Sequence, residues 1–165
     1  MRGTIVTAAD RHEALRGAAL FRDFTEVGLR ILAEMSVSRQ VGRGAYAFRA
    51  GEPSRELSVL VRGSLQLVGR DGGPPLGEVM PGDTFGGLTL LSASEHLVSA
   101  LAATEVELVQ LSRDSFEDLQ RTRPRTALKL TLALARDLTE RLQDARAPLR
   151  EFLVWQISKR QTEPR

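Results

Sequence analysis

The spacing of apolar residues divides the 165-residue chain into a helical start, a β-rich middle and a helical end. Between Asp10 and Met35, apolar residues recur at helical intervals, and the pattern is interrupted near residues 23–25. This spacing predicts two helices, over about residues 10–20 and 25–35. Thr25 followed by Glu26 is a suitable N-cap and first turn for the second helix.

The middle of the chain has the two-residue period of half-buried strands. Apolar residues alternate over residues 37–41, 46–48, 57–61 and 65–67, and strand-like runs follow at residues 76–80, 97–101 and 106–111. Glycines separate most of these runs, and Arg70-Asp71-Gly72-Gly73 has the composition of a hairpin turn. Short strands punctuated in this way predict an antiparallel sandwich or roll.

Helical patterning returns after Ser112, a suitable N-cap for a short helix over residues 113–121. Pro124 stands where a longer helix would begin, and that helix is predicted to run to Arg146. Residues with 3-4 spacing form a seam of the coiled-coil type at Leu128, Thr131, Ala135, Leu138, Leu142, Ala145 and Leu149.

Leu130 and Leu134 lie on a different face of this helix from the seam. The helix therefore needs two apolar contacts, one with its own domain and one with something else. A second copy of the chain is the simplest partner, so we expect a homodimer through Leu128, Ala135, Leu138 and Leu142. The alternative is that both faces pack inside one subunit.

Composition fits one domain, which we assign to residues 1–146, with residues 147–165 as a short C-terminal extension. The chain has no cysteine, a net charge of +2 and no run of about 20 apolar residues that would span a membrane. The first ten residues lack the apolar stretch of a secretory signal. These features favour a cytoplasmic protein.

The candidate site is the stretch from Pro81 to Leu91, which predicts a turn, a strand end, a glycine pair and one short helical turn. Glycines at the start of a helix leave backbone N–H groups accessible to a bound anion. A return strand is expected to begin near His96. The alternative is that Gly86 and Gly87 only form the turn and that His96 is a partly exposed strand residue.

The order of elements, together with Gly51-Glu52-Pro53, the run from Val61 to Leu65 and the run from Pro81 to Gly86, resembles the cyclic nucleotide-binding domain of the catabolite activator protein and of cyclic-nucleotide-gated channels. The resemblance covers about residues 15–146. It implies a mainly β fold with helices: an antiparallel β-roll of the jelly-roll type, flanked by N-terminal helices and a long C-terminal helix.

In that family, the phosphate-binding cassette contains a glutamate that accepts from the ribose and an arginine that pairs with the cyclic phosphate. Phe85-Gly86 and Leu90-Leu91 match the cassette, but the glutamate position is Gly87 and the arginine position is His96, followed by Leu97. The loss of two charged contacts weakens binding by about 3–6 kcal/mol. We therefore expect a degenerate pocket at Phe85, Gly86, Gly87, Leu88, His96 and Leu97, and cyclic nucleotide is disfavoured as a ligand.

Other functional classes find little support in the sequence. The chain has two histidines, His12 and His96, in different predicted elements, so no metal site is predicted. No phosphate loop or nucleophile elbow occurs, which disfavours an enzyme. Residues 147–165 are too few for a winged helix-turn-helix of about 60 residues, so direct DNA binding is not expected.

The sequence therefore predicts a stand-alone signalling module of this type that acts through contact with an unidentified protein partner. The alternative is a sensor that binds a cyclic nucleotide or another small anion in the pocket at residues 85–88 and His96. In that case the C-terminal helix would relay the binding event.

Overall fold

The structure, a computed structural model, describes residues 7–144. Its N-terminal helices are α1 (Ala8–Arg16) and α2 (Glu26–Met35). Thr7 caps α1 and exchanges hydrogen bonds with Asp10, and Thr25 caps α2 as predicted. The first helix starts earlier than predicted and ends at Arg16, because the apolar residues after it form a separate 3₁₀ turn, Ala19–Phe21, that buries Phe21.

Ten short strands make up the middle of the chain in the described residues; most of them lie close to predicted runs, but the two-residue strands at residues 53–54 and 94–95 were not predicted. They are β1 (Val37–Val41), β2 (Tyr46–Phe48), β3 (Pro53–Ser54), β4 (Glu56–Arg62), β5 (Leu65–Val68), β6 (Gly77–Val79), β7 (Thr84–Phe85), β8 (Ser94–Glu95), β9 (Ser99–Ala102) and β10 (Val106–Ser112). All their pairings are antiparallel. The strands form two four-stranded sheets, ordered β1-β10-β4-β7 and β2-β9-β5-β6, and a small ribbon of β3 and β8. This is the antiparallel β-roll that the sequence predicted.

The central pair of strands, β4 and β10, separates two hydrophobic cores. Leu60 opposes Leu108 in the register and both lie in the core inside the roll, whereas the neighbouring pair, Val59 and Val109, belongs to the core beneath the helices. Successive residues of a strand point to opposite faces, so these two strands are buried on both sides. They therefore join the interior of the roll to the core beneath the helices.

The C-terminal helices are α3 (Arg113–Thr122) and α4 (Pro124–Asp144). Ser112 caps α3 through a hydrogen bond from the Ser115 N–H, and Pro124 is the first residue of α4, as predicted. Leu130 and Leu134 of α4 are buried in the core beneath the helices, which confirms that this face packs on its own domain. Two predicted seam residues, Ala145 and Leu149, and the extension at residues 147–165 lie outside the described residues.

The other face of α4 is exposed. Leu128 is 60% exposed and Leu132 58%, whereas Leu138, 37% exposed, lies about 40° around the helix from Leu134. Leu132 was not part of the predicted seam, although it lies one turn after Leu128 on the same side of the helix. None of the helices in residues 7–144 has the length and apolar character needed to cross a membrane.

Candidate ligand pocket and the helix that covers it

A cavity of about 300 Å³ lies between α4, the β3–β8 ribbon and the segment Thr84–Thr89, which we call the cassette. All six predicted pocket residues line it: Phe85, Gly86, Gly87, Leu88, His96 and Leu97. The cassette begins with β7, and its glycine pair leads into a short 3₁₀ helix, Gly87–Leu90, as the sequence indicated. The structure therefore brings the predicted residues together; their role in binding stays a prediction.

Gly86 has a positive φ of 74°, and a Cβ on this residue would lie 2.2 Å from the carbonyl oxygen of Glu56. Only glycine fits both conditions. Its own carbonyl accepts from the backbone N–H and the hydroxyl of Thr89, which closes the turn. The shape of the cassette therefore depends on Gly86.

Gly87 lies at the position where the family resemblance places a glutamate. A Cβ here would lie 2.4 Å from Leu134 Cδ2 of α4 and 3.3 Å from Leu57 Cδ1. The Leu134 side chain therefore occupies the space of a Cβ on residue 87 and would have to shift to admit one. The glutamate is absent from the sequence, and Leu134 of α4 packs at its place.

His96 lies at the position where the resemblance places an arginine. It lies between β8 and β9, where its backbone N–H donates to the Glu52 carbonyl and its own carbonyl accepts from the Gly51 N–H. The imidazole stacks on Phe48 at a centroid distance of 3.9 Å. The return strand, β9, starts at Ser99, which is later than predicted.

The environment of His96 favours a neutral ring. Burial lowers the pKa of His96 below its ordinary value of 6.5, although the carboxylates of Glu56 and Glu52 act in the opposite direction. At neutral pH the imidazole therefore carries no charge with which to bind a phosphate.

The cation that lines the pocket is Arg141, on α4. Its Nη2 donates to the Thr84 carbonyl at 2.9 Å, and its Nε donates to Asp137 Oδ2 at 2.8 Å. Two further ion pairs tie α4 to the N-terminal segment, Arg22 with Glu140 and Arg136 with Asp23. These contacts hold α4 against the cassette and against residues 22–23, which precede α2.

Ser54 is a second contributor that the sequence did not reveal. It lines the cavity, it is 5% exposed, and its hydroxyl oxygen has no hydrogen-bond partner in the described part of the chain. A buried polar atom without a partner is unusual in a native fold. The sequence did not reveal Ser54, because the two-residue strand β3 shows no periodicity. Likewise, the apolar pattern of α4 does not indicate that residues 134–141 pack over the cassette.

Within the ranges that the structure describes, no group of three or more histidine or carboxylate side chains is arranged to hold a metal ion. Three arginines around the start of α4 are exposed, Arg121, Arg123 and Arg125, and Arg121 pairs with Asp118. Lys129 lies over the ring of Phe24 at 5.4 Å.

Comparisons with known proteins agree with this architecture. The sequence model of the cyclic nucleotide-binding domain matches residues 38–123. The chain is 30% identical over 129 residues to a CRP-like cAMP-activated global transcriptional regulator of Mycobacterium tuberculosis, covering 76% of this chain and 58% of the regulator. It is 31% identical over 129 residues to a glutaminase, Glutaminase 2, of Bradyrhizobium diazoefficiens, covering 78% of this chain and 20% of that protein.

Among solved structures, the N-terminal domain of a transcriptional regulator from Streptomyces coelicolor superposes with a TM-score of 0.69 at 28% identity, covering 77% of this chain and 91% of that chain. The chain thus spans a fifth of the glutaminase, a little over half of the mycobacterial regulator and nearly all of the isolated Streptomyces domain.

Proposed function

Because the chain belongs to the cyclic nucleotide-binding domain family, we propose that it is a regulatory module that acts through protein contact and does not bind cyclic AMP or cyclic GMP tightly. The observation that carries this proposal is the exposed apolar face of α4, formed by Leu128 and Leu132. A cytoplasmic location belongs to the proposal and is supported by the absence of cysteine.

The exposed face of α4 has the character of an interface. Its leucines lie on one side of the helix, while Leu130 and Leu134 bury the other side in the core. Leucines grouped along one exposed helix face mark a contact surface more often than singly scattered ones do. The first partner that we propose is a second copy of this chain, which would pair the same face with itself; an unidentified signalling protein is the further partner.

The test is the mass of the protein in solution. We expect Leu132→Glu to convert a dimer to a monomer in sedimentation velocity, because a carboxylate in an apolar helix interface is left without a partner. Leu132 is preferable to Leu138 as a target, because Leu138 also lines the cavity.

The matched control is Leu76→Glu, which makes the same chemical change at a leucine that is 68% exposed between β5 and β6. We expect this variant to sediment as the unaltered protein does. A monomeric unaltered protein, or equal effects of the two substitutions, would contradict the dimer through α4.

Two residues that line the cavity, Gly87 and His96, support the proposal that cyclic nucleotides bind weakly. Leu134 fills the space beside Gly87, and His96 is a neutral ring in an aromatic stack. The proposal also assigns no catalytic activity to this chain. The glutaminase relative does not count against that, since the match covers only a fifth of that enzyme.

A second candidate function is a ligand-responsive sensor, and one observation favours it. The cavity is lined by the unpartnered hydroxyl of Ser54 and is closed on one side by α4, so a molecule bound there would touch the helix directly. The mycobacterial relative is named as cAMP-activated. Calorimetric titration with cyclic AMP and cyclic GMP separates the candidates: a Kd below about 10 μM, or about −7 kcal/mol, would favour a cyclic-nucleotide sensor over the first proposal.

A further inference from the structure

We propose that the cavity selects a small molecule with an apolar ring system and a protonated amine, and that it discriminates against anions. This inference deepens the second candidate function, since it names the class of ligand that the sensor would take.

The charged residues around the cavity disfavour an anion. Its lining includes two carboxylates, Glu95 and Asp137, and one guanidinium, Arg141. His96 adds no charge at neutral pH, and two more carboxylates, Glu52 and Glu56, act on its ring. The lining formed by the described residues is therefore net negative, and the field from these groups opposes the approach of an anion.

The guanidinium that lines the cavity is already engaged. Arg141 donates through Nε to Asp137 and through Nη2 to the Thr84 carbonyl. An anion that approaches this guanidinium would also meet the Asp137 carboxylate, which forms an ion pair with it. Unlike Asp137, which pairs with Arg141, Glu95 has no ion pair in the described residues, and it lies exposed at the edge of the cavity.

The walls of the cavity are mainly apolar and suit a ring system. Leu57, Phe85, Leu88, Leu97, Leu134 and Leu138 line it. Two rings line the cavity, those of Phe85 and His96, and both contact Phe48. A cavity of 300 Å³ has the volume of about ten water molecules, which accommodates a molecule of one or two rings.

The unpartnered Ser54 hydroxyl favours a ligand that carries an N–H group. It is buried, lines the cavity and has no acceptor or donor in residues 7–144. A hydroxyl serves both donors and acceptors. An amine or ring N–H that reaches it would satisfy an atom that is otherwise left without a hydrogen bond.

Three probes with one indole ring and different charges test this inference: tryptamine, indole and indole-3-acetate at neutral pH. Binding is followed by shifts of the Gly86 and Gly87 amide signals in ¹H–¹⁵N NMR spectra at up to about 10 mM probe, corresponding to about −3 kcal/mol. We expect the order tryptamine, indole, indole-3-acetate, with tryptamine bound about two- to fivefold tighter than the acetate, a ratio typical of exposed charge pairs. This ratio should shrink at high salt.

Glu95→Gln should reduce the preference for tryptamine over indole-3-acetate by about half or more. Glu34→Gln makes the same change at an exposed position of α2 away from the cavity and should leave the preference unaltered. Tighter binding of indole-3-acetate than of tryptamine, or no shift with any probe at about 10 mM, would overturn the proposal.

The failure of this inference is distinguishable from failure of the proposed function. The sedimentation of Leu132→Glu reports on the α4 interface and involves no ligand. The cyclic nucleotide titration reports on phosphate binding, whereas the indole series reports on charge preference at fixed ring shape.

Discussion

Two glycines with nearly the same backbone conformation differ in their surroundings. A Cβ on Gly72, where φ is 79°, would have no atom within 4 Å, whereas a Cβ on Gly86, where φ is 74°, would meet the Glu56 carbonyl at 2.2 Å. We expect Gly72→Ala to lower the free energy of unfolding by about 1–2 kcal/mol, the penalty of the left-handed conformation. Gly86→Ala should lower it by about 3 kcal/mol or more, because the clash adds to that penalty.

Urea denaturation of the two variants measures this difference, and their comparison isolates the clash from the backbone conformation. Equal losses would show that the cassette turn relaxes away from Glu56. The glycine pair was apparent in the sequence, and so was the turn. The reason that Gly86 must be glycine was not, because it depends on a carbonyl far earlier in the chain that only the fold brings near.

At the scale of elements, the docking of α4 on the cassette depends on a close contact between two residues, Gly87 and Leu134. Gly87→Ala should lower the free energy of unfolding by about 1–3 kcal/mol, because its Cβ would collide with Leu134 Cδ2. Leu134→Ala should lower it by about 2–5 kcal/mol by leaving a cavity. In the double variant the two losses should not add, with a coupling of about 1 kcal/mol or more in the stabilising direction.

Gly42→Ala is the control for this cycle, because a Cβ at residue 42 would have nothing within 4 Å and the φ of this residue is not positive. It should be close to neutral alone and additive with Leu134→Ala. Strict additivity of Gly87→Ala and Leu134→Ala would contradict the contact on which α4 docks.

Most elements were predictable because each has a local signal. Thr25, Ser112 and Pro124 mark helix starts by their own chemistry, and the strands show a two-residue period. The ribbon of β3 and β8 was missed because two residues are too few to show a period. The fold-back of α4 was missed for another reason: Leu134 is equally apolar whether it meets the core or the cassette, and Arg141 resembles an ordinary intrahelical partner of Asp137 one turn earlier.

For the molecule as a whole, restoring the ligand site of the family requires changes in more than one element. Gly87→Glu with His96→Arg supplies the two missing side chains, but Leu134 blocks the glutamate. We expect this double variant to bind cyclic AMP only weakly. Adding Leu134→Ala should strengthen binding by about two powers of ten, which is the worth of one charged hydrogen-bonded contact of about 3 kcal/mol.

Isothermal titration calorimetry of the unaltered protein, the double variant and the triple variant checks this expectation. Equal affinities of the double and triple variants would contradict the role of Leu134 as a block. The class of fold was predictable at this scale because the order of helices, strands and glycine turns extends over most of the chain. The ligand was not, because binding depends on which face of a distant helix closes the pocket.

The contact between Gly87 and Leu134 also has a consequence for descent. Leu134 has to shift before residue 87 can carry a side chain, and each single change alone is expected to lower stability, Gly87→Ala by about 1–3 kcal/mol and Leu134→Ala by about 2–5 kcal/mol. Every one-step route back to a glutamate at residue 87 is therefore expected to pass through a less stable protein. The coupling energy between residues 87 and 134 measures how much of that loss the second substitution recovers.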